Sequence, residues 1–214
     1  MKVLVTGFEP FGGESINPAW EAVKKLPDSI ARAEIIKIQV PTTFKGSGIE
    51  LDKAMEKHSP QAVLCVGQAG GRSCISIERV AINLAEASMP DNEGYQPQDE
   101  KIKCDGENAY FASIPVKAII DNVRKNGLPA HISYTAGTYV CNSLMYTLLY
   151  LIDKKYPAVK GGFIHVPYAC EQVADKGNGL ASLPIETISK GIECAIEAIV
   201  TSKDDKSIVL GETH

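Results

Sequence analysis

The stretch Tyr134-Thr135-Ala136-Gly137-Thr138-Tyr139-Val140-Cys141-Asn142-Ser143 decides how the chain is read. Ahead of it, residues 131–134 predict a short strand. Behind it, Leu144-Met145-Tyr146-Thr147-Leu148-Leu149-Tyr150-Leu151-Ile152 is a long apolar run of mostly good helix formers. A strand, a loop of small residues and a helix therefore follow one another, and the loop delivers Cys141 to the helix start. Unpaired N–H groups and aligned peptide dipoles at that end favour negative charge, so the position predicts a thiol that ionises easily and acts as a nucleophile.

The same alternation recurs on both sides of this stretch. Residues 2–6 and 34–40 predict strands, the second rich in β-branched side chains, and residues 62–66 form an unbroken apolar run of the kind covered on both faces of a parallel sheet. Asn17-Pro18 starts a helix that continues through Leu26, and residues 51–58 carry a helical pattern that Pro60 ends. Ser113 and Pro115 start another, closed by Gly127; residues 161–168 are the last clear strand, and Ser182-Leu183-Pro184 caps a final helix through Ile199. The expected fold is α/β: one domain over residues 1–214, an open, mostly parallel twisted sheet flanked by helices on both faces. Residues 75–84 read as one extended segment, whose alternation puts Glu78 on one face with Val80, Ile82 and Leu84. Residues 88–108 lack periodicity and are punctuated by Pro90, Gly94, Pro97 and Gly106, which fits a lid, a partner surface or a disordered segment. The polar tail from Ser202 contains only Ile208-Val209-Leu210 as an apolar run, suited to an edge strand or a partner contact.

Composition excludes several functions. At 44% hydrophobic and 22% charged residues with a net charge of -4, the chain offers no broad basic surface for nucleic acid or acidic membrane. The opening apolar run is too short for a signal peptide or a membrane span, and no later run is long enough either, which predicts a cytoplasmic protein acting on a small molecule or peptide. The six cysteines, Cys65, Cys74, Cys104, Cys141, Cys170 and Cys194, are scattered without close pairing, so they read as free thiols and not as a disulfide framework or a CxxC zinc site. No cofactor or metal motif is expected.

Other loops converge on Cys141. Gly7 to Glu14 has the spacing of a phosphate loop, but Gly13 and Glu14 stand where its lysine and metal-binding hydroxyl belong. Phe8 and Phe11 on that loop are either ordinary core or the walls of a small pocket. Gly67-Gln68-Ala69-Gly70-Gly71-Arg72 is either a plain turn or a place where backbone approaches a ligand closely. Glu78, on an apolar face, requires a partner: Arg72, Arg79, or a catalytic histidine that it orients. Of the four histidines only His165, near the carboxyl end of a strand, is well placed. In a parallel α/β sheet ligands bind beyond the carboxyl ends of the strands, and the loops at Phe8, Gln68 and Cys141 are assigned to that edge together with His165. Cys, His and Glu supply a nucleophile, a base and an orienting group.

The blocks Gly7-Phe8-Glu9-Pro10-Phe11-Gly12, Gly67 to Arg72, Glu78-Arg79-Val80-Ala81-Ile82-Asn83, Ala136-Gly137-Thr138-Tyr139-Val140-Cys141-Asn142 and Phe163-Ile164-His165-Val166-Pro167-Tyr168 resemble the pyroglutamyl peptidase I (pyrrolidone-carboxylate peptidase) family over nearly the whole chain. The resemblance implies Cys141 as nucleophile, His165 as general acid and base, and Glu78 as the group orienting the histidine. It also implies release of an N-terminal pyroglutamyl residue from peptides without a metal, by a cytoplasmic homotetramer. The neutral lactam suits aromatic walls from Phe8 and Phe11, with Tyr139 beside them and backbone contacts near Gln68 and Val140. A free amino terminus would instead want an acid, and Glu9 is the only charge over residues 7–13.

Two positions depart from the family pattern. Tyr139 stands where phenylalanine is common, which requires a partner for its hydroxyl. Ser88 replaces an arginine, leaving Arg72 or Arg79 to supply positive charge. The rival readings are a nucleoside phosphorylase-like enzyme, which needs anion-binding arginines near Gly12 or Gly70, and a non-catalytic pyroglutamyl-binding homologue.

Overall fold

The computed structural model describes residues 1–177 and 179–211. Along the chain run β1 (Lys2–Phe8), α1 (Pro18–Lys24), β2 (Ser29–Ile30), β3 (Ala33–Val40), α2 (Gly46–His58), β4 (Ala62–Gln68), β5 (Ile75–Glu78) and β6 (Val80–Ile82). They are followed by β7 (Ala109–Phe111), α3 (Val116–Lys125), β8 (Ala130–Ser133), α4 (Val140–Lys154), β9 (Lys160–Val166), β10 (Tyr168–Ala169), α5 (Cys170–Val173), β11 (Ser182–Leu183) and α6 (Ile185–Thr201).

The main sheet has the order β2-β3-β1-β4-β9-β5-β8. β3, β1, β4 and β9 are mutually parallel, whereas β2 opposes β3 and β5 opposes β9. Nearly every residue of β1, β4 and β9 is buried, as strands covered on both faces must be. α2 and α4 pack together on one face; α1, α3 and α6 cover the other. Ile188, Ile192, Ile196 and Ile199 form the buried stripe of α6.

The predicted α/β sandwich is therefore present, with four local corrections. The segment expected to be extended over 75–84 divides at Arg79. Its N–H still bonds Ser133 O on β8 at 2.7 Å, while its C=O accepts Ala112 N beyond β7 at 3.0 Å, so β6 leaves the main sheet to pair with β7. Glu78 is fully buried but Ile82 is exposed, and the two do not share an apolar face. Residues 182–183 do not cap the last helix; they form β11 against β10, and Pro184 precedes α6 without a side-chain cap.

The aperiodic loop over 88–108 is pinned. The buried Asp91 carboxylate accepts the N–H groups of Phe44 at 2.9 Å, Glu93 at 3.0 Å and Tyr95 at 2.9 Å. The tail over 202–211 forms no strand. Asp205 Oδ1 instead accepts Ala118 N in the first turn of α3 at 2.9 Å, meeting one of the N–H groups that a helix start leaves unpaired.

Gly7 is where the sheet and α1 come closest: a Cβ there would lie 2.7 Å from Trp20 Cα, a backbone atom that cannot swing aside. Gly7→Ala is expected to destabilise the fold by about 1–3 kcal/mol, read as a lower urea midpoint at constant m-value; an unchanged midpoint would show that β1 and α1 separate freely.

Candidate active site

Adjacent parallel strands carry Phe8, Gln68 and His165 to their carboxyl ends, where α/β sheets bind ligands. β5 runs the other way, with Ser76 opposite His165 and Glu78 opposite Phe163. Glu78 is thus a diagonal neighbour of His165 on the same face, within reach of a long side chain. β8 also opposes β9, so Cys141 does not arrive from a parallel strand as the sequence reading assumed. The loop between β8 and α4 turns back through Gly137, whose φ of +77° suits glycine, and Thr135 Oγ1 accepts Gly137 N at 3.1 Å. Thr138 Oγ1 then donates to Glu86 O at 2.8 Å. Cys141 follows as the second residue of α4, its Sγ over Gly67; a Cβ at Gly67 would lie 2.8 Å from that sulfur. The glycine-rich segment is therefore a place of close approach as well as a turn.

Two of the three partners considered for the buried Glu78, Arg72 and a histidine, are present at once. Its Oε1 receives Arg72 Nη1 at 2.7 Å and lies 2.7 Å from His165 Nδ1, while Arg72 Nη2 donates to Thr135 O at 3.1 Å. Burial alone would raise the Glu78 pKa, but hydrogen bonding and charge from His165, the Ser133 hydroxyl and Arg72 outweigh it, holding the carboxyl below its usual range. Burial lowers the His165 pKa from 6.5 more than Glu78 raises it, so the ring is neutral near pH 7. With Nδ1–H directed at Glu78, Nε2 is left as the basic nitrogen.

Burial, reinforced by the charge of Glu78, also pushes the Cys141 thiol up, to about 12. The rise from 9.0 corresponds to about 4 kcal/mol at ~1.4 kcal/mol per tenfold, whereas a helix terminus supplies about 2 kcal/mol at best. Desolvation wins, and the easily ionised thiol expected from the helix start is instead a neutral thiol beside a neutral imidazole. No hydrogen bond joins the two among the described residues.

A cavity of about 290 Å³ brings Cys141, His165 and Arg72 together with Phe8, Phe11 and Tyr139 as its aromatic walls. Asn17, Thr42 and Gln68 add polar lining. Phe8 belongs to core and cavity alike, tilted on Phe163 with ring centroids 6.4 Å apart. Among the described residues no carboxylate lines it. Glu9 is turned aside, its Oε1 accepting Thr42 N at 3.1 Å and Asn92 Nδ2 at 2.8 Å. The Tyr139 hydroxyl has the partner it needed, donating to Pro90 O at 3.0 Å, and its ring stands edge-on to Phe44 at 5.4 Å. Val140 is fully buried and its side chain does not line the cavity; only its backbone is available at the helix start. A second cleft of about 400 Å³ between α2 and α4 holds neither thiol nor imidazole.

Comparison with known proteins places the chain in a family. A family model described as pyroglutamyl peptidase matches residues 1–202. The chain belongs to the pyroglutamyl peptidase family. It is 56% identical to a pyrrolidone-carboxylate peptidase of Enterococcus faecalis over 100% of both chains, and 54% identical to one of Thermosipho melanesiensis over 95% of this chain and 100% of that one. Among solved structures, pyroglutamyl peptidase I from Bacillus amyloliquefaciens superposes with a TM-score of 0.94 at 47% identity, covering 97% of this chain and 99% of that one. Pyrrolidone carboxyl peptidase from Thermococcus litoralis gives 0.93 at 41% identity, covering 98% and 99%.

Against this family background, Arg72 and Arg79 have separate fates. Arg79 lies over the Phe111 ring at 5.4 Å, away from the cavity. Arg72, the only cation lining the cavity among the described residues, is held by Glu78 and Thr135, which removes the free anion site a nucleoside phosphorylase-like reading requires. Ser88 lines a neighbouring cleft of about 440 Å³ that shares Phe11 and Tyr139 with the cavity. Sequence reasoning missed the part played by Asn142: its Oδ1 accepts Ile82 N at 3.0 Å and its Nδ2 donates to Ile82 O at 2.9 Å and Leu84 O at 3.0 Å, fastening the start of α4 to the β6 segment. Its place beside Cys141 was the available signal. Among the described residues no group of three His, Cys, Asp or Glu side chains is arranged to hold a metal, and no helix is long and apolar enough to cross a membrane.

A thiol at about 12 has a measurable signature. The ultraviolet thiolate absorbance lost on Cys141→Ser is expected to develop only above about pH 10; a thiolate step between about pH 6 and 8 would overturn the neutral-pair description.

Proposed function

We propose that this chain is a cysteine exopeptidase that removes an N-terminal pyroglutamyl residue from peptides through a thioester acyl-enzyme. One observation carries the reading: a thiol and a neutral imidazole open onto an aromatic cavity that no carboxylate lines among the described residues. A free α-amino terminus is a cation and needs an acid at that position, whereas a lactam is neutral and compact.

The reaction begins from the neutral pair. As Cys141 Sγ attacks the pyroglutamyl carbonyl carbon, His165 Nε2 takes the thiol proton, and the imidazolium is stabilised through Nδ1–H by ionised Glu78. N–H groups at the start of α4, including that of Cys141, receive the developing oxyanion. Collapse of the tetrahedral intermediate breaks the C–N bond, and the departing amine takes its proton from His165. Water then attacks the thioester; His165 accepts its proton and returns it to the Cys141 sulfur as pyroglutamate leaves. Arg72 positions rather than reacts, joining the carboxylate to the Thr135 loop. Phe8, Phe11 and Tyr139 hold the ring, with backbone contacts at Gln68 and Val140. The whole chain acts as one catalytic domain, and by the resemblance it works as a cytoplasmic homotetramer; analytical ultracentrifugation returning a monomer would refute that assembly.

Hydrolysis of a pyroglutamyl amide with a chromogenic leaving group tests the reading. The unaltered chain is expected to turn it over, with Cys141→Ala reducing kcat by at least about a thousandfold and Cys194→Ala changing it little. Absence of turnover by the unaltered chain sinks the peptidase reading, and equal losses in the two variants move the nucleophile elsewhere. The active base is neutral His165, whose pKa lies below 6.5, so kcat/KM is expected to fall on acidification only below about pH 6.5. Glu78→Gln removes the charge that holds this pKa up, so it should shift the acid limb to lower pH; a limb that moves upward would contradict the assignment of His165 as base.

A further inference from the structure

Glu78 Oε1 serves two donors, Arg72 Nη1 and His165 Nδ1, whereas Glu78 Oε2 is buried and meets no donor at hydrogen-bond distance among the described residues. An ionised carboxylate accepts on both oxygens, and leaving one unpaired in the interior is costly. The donors already described are spent: Arg72 Nη2 goes to Thr135 O at 3.1 Å, and His165 reaches the carboxylate through Nδ1 alone. β8 brings another. Ser133 stands directly opposite Glu78 in the parallel pairing of β5 with β8, so the two side chains share one face of the sheet, and Ser133 is itself buried. Its Oγ accepts Thr135 N at 3.5 Å and lies 3.1 Å from Thr135 O. A hydroxyl has one proton to give and rotates to suit. Thr135 O already receives Arg72 Nη2, so the proton adds little there, while an ionised oxygen without a donor is the stronger acceptor. Burial raises the Glu78 pKa, but hydrogen bonds from His165 and from the Ser133 hydroxyl help hold it down, which agrees with that choice.

We propose that Ser133 is a positioning residue whose hydroxyl turns from Thr135 O to Glu78 Oε2, holding the carboxylate so that Oε1 stays on the His165 ring. This rests on the pairing of Glu78 with His165 that the pyroglutamyl reading uses. Arg72 and Ser133 then restrain the carboxylate from two segments, and both also meet Thr135. The loop that delivers Cys141 is thereby tied to the group that orients its base.

The charged and titratable groups facing the Glu78 and His165 pair are Arg72, from the turn after β4, and Cys141, from α4. Cys65 on β4 acts on Cys141, and His131 on β8 lies 2.8 Å from the Cys74 sulfur through Nδ1. All of them stay in place when the Ser133 hydroxyl alone is removed. Ser133→Ala leaves Oε2 without a donor, which destabilises the unprotonated pair more than the protonated one, so the pair takes up its proton at higher pH. The acid limb of kcat/KM for a pyroglutamyl amide is expected to move up by about half a unit to one unit, opposite to the movement expected for Glu78→Gln. KM on the alkaline plateau stays within about twofold, because Ser133 does not line the cavity. Ser133→Thr keeps a hydroxyl and is expected to hold the limb within about 0.2 unit. NMR titration of the His165 ring, identified as the signal missing from His165→Gln, is expected to show the same rise in Ser133→Ala without any substrate. A merely structural role would lower activity at every pH and leave the ring titration where it was. An unmoved or lowered ring pKa in Ser133→Ala overturns the proposal, as does an equal rise in the alanine and threonine variants. No turnover by the unaltered chain sinks the peptidase reading, while the ring titration still decides the part played by Ser133.

Discussion

The interaction on which the site depends is the sharing of one carboxylate oxygen, Glu78 Oε1, by the Arg72 guanidinium and the His165 ring. Glu78 has no exposed surface, and an ionised carboxylate so placed costs several kcal/mol unless it is paired and hydrogen-bonded. Meeting that requirement joins four separate segments: β5 through Glu78, the glycine-rich turn after β4 through Arg72, β9 through His165, and the loop before α4 through Thr135. The antiparallel placement of β5 beside β9 is what lets the carboxylate reach the ring from a diagonal position. A parallel β5 would bring its residues past β9 in the opposite order and require a different partner.

The same burial sets the resting chemistry. It holds His165 neutral and Cys141 protonated, against a helix terminus too weak to reverse it. An unoccupied site therefore does not hold a permanent thiolate exposed to stray electrophiles or oxidants. In the proposed mechanism, thiol activation belongs to the encounter with substrate, when a carbonyl carbon accepts the sulfur's electrons and the proton passes to a ring already aligned by Glu78. Gly67 matters here for a geometric reason: any side chain at that position would occupy the space of the sulfur and of the Phe163 ring.

Much of this was legible in the sequence because local pattern and tertiary role coincide. The buried strands β1, β4 and β9 declare themselves as apolar runs, and α4 and α6 declare themselves by length and helix-forming content. Cys141, His165 and Glu78 could be singled out by residue type and by their places at strand ends and helix starts. What local pattern does not encode is strand direction. β5 and β8 read as ordinary strands, and only their pairing partners make them antiparallel to β9. The division of the extended segment at Arg79 was hidden for the same reason, since the hydrogen bonds that cause it come from Ser133 and Ala112. The aperiodic loop over 88–108 looked unrestrained because its anchor, Asp91, satisfies backbone groups that include the distant Phe44. Asn142 was missed because an amide side chain shows its role only through the groups it meets.

Glu9 shows how directly such contacts decide specificity. It lies at the start of the loop after β1, next to Phe8, and an acid turned into the cavity there would neutralise the amino group of an ordinary peptide and favour an aminopeptidase pocket. Its carboxylate is instead held by Thr42 N and by the side chain of Asn92, which also donates to Pro10 O at 2.9 Å. Asn92 is kept in place by the loop that Asp91 pins, and that loop also supplies Pro90 O to the Tyr139 hydroxyl. The pinned loop therefore does two things for the cavity at once: it draws the acid next to Phe8 away, and it sets the ring of Tyr139 as a wall. Among the described residues, the lack of an acid in the pocket is thus a property of the fold around Asp91, imposed from outside the cavity, as the proposed preference for a blocked, uncharged terminus requires.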